Sequence, residues 1–379
     1  MAFAYNGVIP QTRAWQLGST SQKPSHPLFS TCVSRPHTPP RLKNRIAHRI
    51  GSSSSVAKID TALSDMESHQ FHDNRVDSVS TSTTAWSEFA RNVSGEWDGF
   101  GADFSREGSP IELPENVVPE AYREWEVKVF DWQTQCPTLA DQEERVLVYK
   151  LIKLLPTVGC EADAATRYTI DERNVGGSNN SVSAFAYQSS GCYVAVWPIE
   201  EKGSYKLREL EHCLINPQDK ESRVRIVQVV RVENEKMVLN SIKVFVEQWY
   251  GPFRNGDQLG GCAIRDSAFA SGAALEASEV VGVWEGLSAA VSFDGSQIDF
   301  IQELSKDNVQ KSVRDESDLV LLPKQLWCSL KETEGGDTCS EVGWLLNHGR
   351  AITSKCTFSS KATLKEISVA SETTSTEGV

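Results

Sequence analysis

A five-residue pattern occurs twice in this chain. Gly95-Glu96-Trp97-Asp98-Gly99 reappears 187 residues later as Gly282-Val283-Trp284-Glu285-Gly286, a G-x-W-acid-G box in both places. The surroundings repeat as well. A helix-like segment precedes each copy (Ala85 to Asn92; Ala273 to Val280), and an extended run ending in a glycine turn follows (Arg106-Glu107-Gly108; Asp294-Gly295). A repeated phrase with matching flanks constrains the fold to two similar modules, one over residues 85–255 and the other over 273–370. Between them Gly256, Gly260, Gly261 and Gly272 mark a flexible connection over 256–272.

Inside the modules the apolar period is two. Trp125, Val127 and Val129 alternate with Glu126, Lys128 and Phe130. Val224, Ile226, Gln228, Val230 and Val232 alternate with Arg223, Arg225, Val227, Val229 and Arg231. Ile242, Val244 and Val246 alternate with Lys243, Phe245 and Glu247. Turn signals begin at Asn174, Ser189, Glu201, Asn216 and Glu233. This pattern predicts an all-β chain of antiparallel up-and-down sheets, each closed into a barrel so that no edge is left to aggregate. A β-sandwich is the competing architecture.

The charge is unevenly spread. The chain carries 38 Lys and Arg against 51 Asp and Glu, yet residues 1–59 hold eight basic side chains and no acid, so the remainder has a net charge of 30 − 51 = −21. A body this acidic excludes nucleic acid as a partner class. No apolar run reaches the ~18 residues of a transmembrane helix. The Ser-, Thr-, Pro- and Arg-rich opening has the composition of an organelle transit peptide. Its five prolines from Pro24 to Pro40 and the Ser52–Ser55 run favour a plastid, while Arg41, Arg45 and Arg49 at helical spacing keep the mitochondrion as the alternative. Residues 60–84 read as a disordered approach and 371–379 as a disordered tail. Cys32 leaves with the transit peptide. The other eight cysteines show no C-x-x-C and no zinc spacing, so reduced structural thiols and no metal are expected.

The G-x-W box after a short helix, opening a first strand, resembles the lipocalin (calycin) pattern. With Leu321-Leu322-Pro323, Glu211-His212-Cys213-Leu214-Ile215, Arg223-Val224-Arg225-Ile226-Val227 and the stretch Glu341 to Ser354, the chain from Trp86 to Ile367 is similar to an uncharacterised family of cyanobacterial and chloroplast proteins (domain of unknown function 3598 type). Glu341 to Ser354 is also distantly similar to the late strands of S/U-type phycobiliprotein lyases. The resemblance implies two tandem lipocalin-like barrels and a plastid protein, stromal or peripheral to the thylakoid, that binds or carries a small hydrophobic or tetrapyrrole-type ligand. A non-catalytic assembly factor with filled barrels is the alternative, and a chromophore-lyase-like enzyme a third reading. Another plastid protein is a possible partner, and no cofactor is expected.

The same resemblance nominates ligand-binding residues. Trp97 and Trp284 would form the floor of each cavity or simply close each barrel, indole N–H to backbone. Arg350 would pair with a ligand carboxylate or lie over Trp284 as a cation–π lid. Trp327 and Trp344 would face the cavity wall or the outside. From spacing alone, Arg223, Arg225 and Arg231 share one strand face, read as solvated, or else as an electropositive patch that Val227 and Val229 interrupt. Enzyme motifs are missing: there is no G-x-S-x-G, P-loop, H-E-x-x-H or G-x-G-x-x-G. His212 and Cys213 are strand neighbours whose side chains point to opposite faces, so they cannot act as a pair. His69 and His72 lie before Trp86, and His348 reads as a turn residue.

Overall fold

The computed structural model describes residues 77–158, 166–203, 205–257, 269–293, 299–347 and 349–375, all within one compact unit that begins at Phe71. Residues 1–59, expected to be a transit peptide, and His69, His72, Cys160, Cys262, His348 and most of the glycine linker lie outside the described residues.

The chain is mostly β. After helix α1 (Asp77–Val93), the first module runs through β1 (Glu96–Ser105), a short α2 (Glu120–Glu124), β2 (Asp131–Gln135), β3 (Thr138–Ala140), β4 (Leu147–Leu154), β5 (Arg167–Val175), β6 (Ala184–Tyr187), β7 (Tyr193–Val196), β8 (Glu200–Lys202), β9 (Tyr205–Ile215), β10 (Ser222–Glu233) and β11 (Lys236–Gly251). The second has β12 (Gly282–Ser292), β13 (Ile301–Glu303), β14 (Lys306–Arg314), β15 (Val320–Leu322), β16 (Leu326–Glu332), β17 (Thr338–Asn347), β18 (Arg350–Phe358) and β19 (Leu364–Thr374). The five turn signals all fall on strand connections. At Asn234 and Glu235 both φ values are positive (49° and 67°), the conformation of a tight hairpin between β10 and β11.

Four local expectations fail. Trp125 to Phe130 is not a strand: α2 ends at Glu124, and a turn with Glu126 at φ 54° leads into irregular chain, leaving Trp125 exposed. Residues 77–84 belong to α1, and residues 371–374 complete β19. In front of the second box stands a 3-10 turn, Ala277–Glu279, where the first module has a helix.

The strands form two sheets. The first runs β13-β6-β7-β9-β10-β11-β1-β2-β4-β3, with β5 also on β4 and β8 on β9; the second runs β14-β12-β19-β18-β17-β16-β15. In each, the first strand of the module pairs with its last, β1 with β11 and β12 with β19. That is an up-and-down ring. Among the described residues each ladder has one unpaired seam, between β5 and β6 and between β14 and β15, so neither ring is closed by hydrogen bonds. At the first seam the strand order departs from pure antiparallel pairing, because β13, from the second module, adds to β6 in parallel. Side chains span the remaining gap: Trp86 Nε1 donates to the Asp141 carbonyl (2.6 Å), and α1 packs Trp86 and Phe89 on Tyr187, Phe185 and Tyr193.

The two sheets pack through the outer faces of β9 and β10 against β16, β17 and β18. His212 Nδ1 lies 2.7 Å from Ser354 Oγ, and Gln228 Nε2 donates to the Ser329 carbonyl at 2.9 Å. Strand β10 is therefore buried on both faces, and its arginine face is the inside of the first sheet. The expected solvated face is overturned for Arg223 and Arg225; Arg231 alone is exposed.

Candidate functional site

The two boxes build the same structure. Each opens on a glycine with positive φ (Gly95 at 144°, Gly282 at 124°), a conformation that side chains resist. Each tryptophan is buried and donates its indole N–H to the carbonyl four residues earlier, Trp97 to Val93 at 2.9 Å and Trp284 to Val280 at 2.7 Å. The second glycine of each box stands opposite a buried glutamate on the module's last strand, Gly99 opposite Glu247 and Gly286 opposite Glu372.

An arginine covers each indole, but from a different strand. Arg223 on β10, the register partner of Glu247, lies 4.2 Å from the Trp97 ring centroid. The matching partner of Glu372 is Ala351 on β18. The second module instead supplies Arg314 from β14, opposite Gly282, at 5.4 Å from Trp284 and 5.2 Å from Trp327. In the first module the place of Arg314, opposite Gly95, is held by Thr138, whose hydroxyl accepts a hydrogen bond from Arg223. The same cationic position is thus reached from opposite sides of the box.

Further along, both modules bury a second glutamate. Glu211 accepts from Tyr149 (2.5 Å), Tyr193 (3.0 Å), Trp197 (3.1 Å) and Arg225 (3.0 Å), which fills the roughly four acceptor sites of a carboxylate. Glu341 accepts from Arg314 (2.5 Å) and Trp327 (3.3 Å) and pairs with Lys355 (3.4 Å). Glu247 takes Arg223 at 2.7 Å and Arg225 at 2.9 and 2.8 Å. Burial pushes the Glu247 and Glu341 carboxyls up, but Arg223 and Arg225 in one case and Lys355 and Arg314 in the other hold them below the usual range. Burial and the Glu211 carboxylate together keep the Tyr149 hydroxyl protonated. These charged groups and hydroxyls are committed to one another.

The nominated residues separate accordingly. Trp284 and Trp327 come together, ring centroids 6.4 Å apart, under Arg314. Trp97 lies apart, in the first module. Trp344 faces the other side of β17, half-buried against the core shared by the two sheets. Arg350 is exposed and bonds Asn347 at 3.0 Å, so the cation over Trp284 is Arg314 rather than Arg350. Arg314, Glu341 and Glu372 were not singled out by sequence reasoning. The available signal was the two glutamates of the partly apolar strands β17 and β19; Arg314 ends a mostly polar strand and gave none.

Open space lies elsewhere. At the mouth of the first sheet a pocket of about 300 Å³ is rimmed by Arg173, Glu209 and Lys243, paired with one another (2.8 and 2.6 Å). A larger cleft, about 970 Å³, lies between the modules. Its walls come from the start of β9, the β10–β11 hairpin, the chain after β12 and the β18–β19 turn, with Ile199, Phe293, Phe300 and Leu364 as apolar lining, Lys206, Arg208 and Lys361 as cations, and Glu233, Glu235 and Asp299 as acids. Among the described residues no cluster of His, Cys, Asp and Glu is arranged to hold a metal, and no helix is long and apolar enough to cross a membrane. Cys136, Cys192, Cys213, Cys328 and Cys356 are buried free thiols, all pushed up by burial, Cys328 to about 12.

These features define an all-β protein of two related curled sheets with filled interiors and a cleft between them. No protein-family model matches the sequence, and no curated protein matches it significantly. Among solved structures the chain is similar to a protein of unknown function of the DUF3598 family from Nostoc punctiforme, at 13% identity and a TM-score of 0.45, over 77% of this chain and 99% of that one.

Proposed function

We propose that this chain is a plastid protein that binds or carries a small hydrophobic or tetrapyrrole-type molecule, that each sheet acts as a lipocalin-like barrel, and that the ligand sits between the barrels. The observation that carries this is the distribution of space. Both interiors are occupied by aromatic rings and buried ion pairs, whereas the intermodule cleft, at about 970 Å³, is at the upper end of the ~300–1,000 Å³ typical of small-molecule sites. A wall that sets Ile199, Phe293, Phe300 and Leu364 beside charged side chains suits an amphipathic ligand of that size. Titration of the full chain with biliverdin and with oleate tests it. Phe300→Asp, which puts a charge into the apolar wall, is expected to weaken binding by about tenfold or more, and Lys243→Met at the mouth of the first sheet to leave it unchanged. Equal binding by Phe300→Asp and the unaltered chain would overturn the cleft site.

The filled interiors also favour a second reading, an assembly or interaction factor without a ligand. Failure of both probes to bind a correctly folded chain selects it. The plastid address rests on the acid-free, basic residues 1–59. A fluorescent fusion of that segment is expected in plastids; import into mitochondria alone would refute the address.

A further inference from the structure

We propose that Arg208 is the anchor for a carboxylate, so that the ligand of the intermodule cleft is an apolar acid; this rests on the cleft being the binding site. Arg208 belongs to β9, opposite Val230 of β10, at the end of the first sheet that meets the β18–β19 turn. One guanidinium nitrogen, Nη1, donates to the Ala362 carbonyl at 2.8 Å, and the group lies 5.6 Å from the Phe358 ring. Its Nε is enclosed without a hydrogen-bond partner.

Arg208 has no counter-ion among the described residues. Each of the other deeply placed arginines that line an interior, Arg173, Arg223, Arg225 and Arg314, has a carboxylate within 2.8 Å. No carboxylate among the described residues pairs with Arg208. The acids nearby are engaged elsewhere: Asp299 with Arg145 at 3.3 Å, Glu201 with Lys206 at 3.6 Å, and Glu233 with Arg231. Glu235 stands exposed at the hairpin tip. Burial accordingly lowers the proton affinity of Arg208 with no opposing charge. A half-buried guanidinium that has given up water without gaining an anion is held at a cost, which an incoming carboxylate relieves through charge-assisted hydrogen bonds. Lys361, on the β18–β19 turn, adds a second cation, and Phe293, Phe300 and Leu364 form the apolar wall beside them. An aliphatic acid and a tetrapyrrole propionate both present this chemistry.

Paired ligands separate the possibilities without relying on a variant that might not fold. The full chain is titrated with oleate and oleyl alcohol, and with biliverdin and its dimethyl ester. The acid of at least one pair is expected to bind about tenfold or more tightly than its neutral counterpart. Arg208→Met should abolish that preference and Arg208→Lys should retain much of it. The pair that shows the preference identifies the source of the carboxylate. Equal binding of acid and neutral forms overturns the anchor while leaving the cleft intact. Loss of the preference in Lys361→Met but not in Arg208→Met overturns the assignment to Arg208. If no member of either pair binds, the cleft reading itself fails.

Discussion

Asp98, the acidic residue of the first box, points away from Trp97 and is nearly solvent-free at 4% exposure. Its one hydrogen bond to a side chain comes from Gln135 Nε2 at 3.4 Å, and Glu96 and Glu247 are close enough to repel it. Burial, with those two carboxylates adding to it, raises its pKa from 3.8 to about 6. A carboxyl whose pKa is higher in the folded state favours folding while it is protonated. That benefit is complete below about pH 4 and is lost as the pH rises through 6, above which ionised Asp98 weighs against the fold by roughly 2–3 kcal/mol. Asp98→Asn is therefore expected to stabilise the protein at pH 8 by about that amount and to change nothing near pH 4. Urea unfolding at the two pH values measures the difference; a constant offset would show that the effect of the substitution is not electrostatic. Glu285, its counterpart in the second box, is exposed.

At the level of the strand, the second glycine of each box is required by the approach of its neighbour. A Cβ on Gly99 would lie 2.0 Å from the Val246 carbonyl oxygen and 2.9 Å from Glu247 Cα; on Gly286 it would lie 2.0 Å from the Ser371 oxygen and 2.7 Å from Glu372 Cα. These are backbone atoms, and they cannot yield without breaking the pairing of first and last strand. Gly99→Ala and Gly286→Ala are each expected to cost more than about 3 kcal/mol, seen as a lowered urea midpoint or loss of soluble protein. Gly335→Ala, which meets only Thr333 Oγ1 at 3.9 Å, should be nearly silent. The repeated box was readable in the sequence because this packing demands the same residue types twice. The strands β10 and β11 and the five turns were readable for the same reason, period and turn chemistry being local. The faces of β10 were not. Alternation assigns two sides but does not say which is inside, and here both are buried, the valine side by the second sheet and the arginine side by Glu247 and Glu211. Nor could local pattern reveal that one arginine position is filled from β10 in one module and from β14 in the other, since that equivalence exists only once the sheets have curled.

For the molecule as a whole, the join between the sheets runs through a few polar side chains set in an apolar seam. His212 is fully buried there, its ring between Ser354 (2.7 Å) and Ser340 (3.4 Å), while Gln228 bonds Ser340 and the Ser329 carbonyl. Burial alone lowers the His212 pKa from 6.5 to about 3. A histidine depressed in this way contributes its full stability above the unfolded value of 6.5. Below that, the unfolded chain takes up a proton that the folded one refuses, so stability falls as the pH drops from 6.5 towards 3, by roughly 2–3 kcal/mol at pH 4.5. Asp98 acts in the opposite direction over part of this range, so the comparison must be between variants. His212→Gln keeps polar groups facing the two serines and removes the titration. The difference between its stability and that of the unaltered chain is expected to shift in its favour by that amount between pH 7.5 and pH 4.5, whatever the offset at neutral pH. Because the cleft is walled by both modules, the same acid titration should weaken ligand binding in the unaltered chain before the far-ultraviolet β signal is lost. Binding and β signal that disappear together, with no difference between His212→Gln and the parent, would mean that the seam is not the acid-sensitive joint.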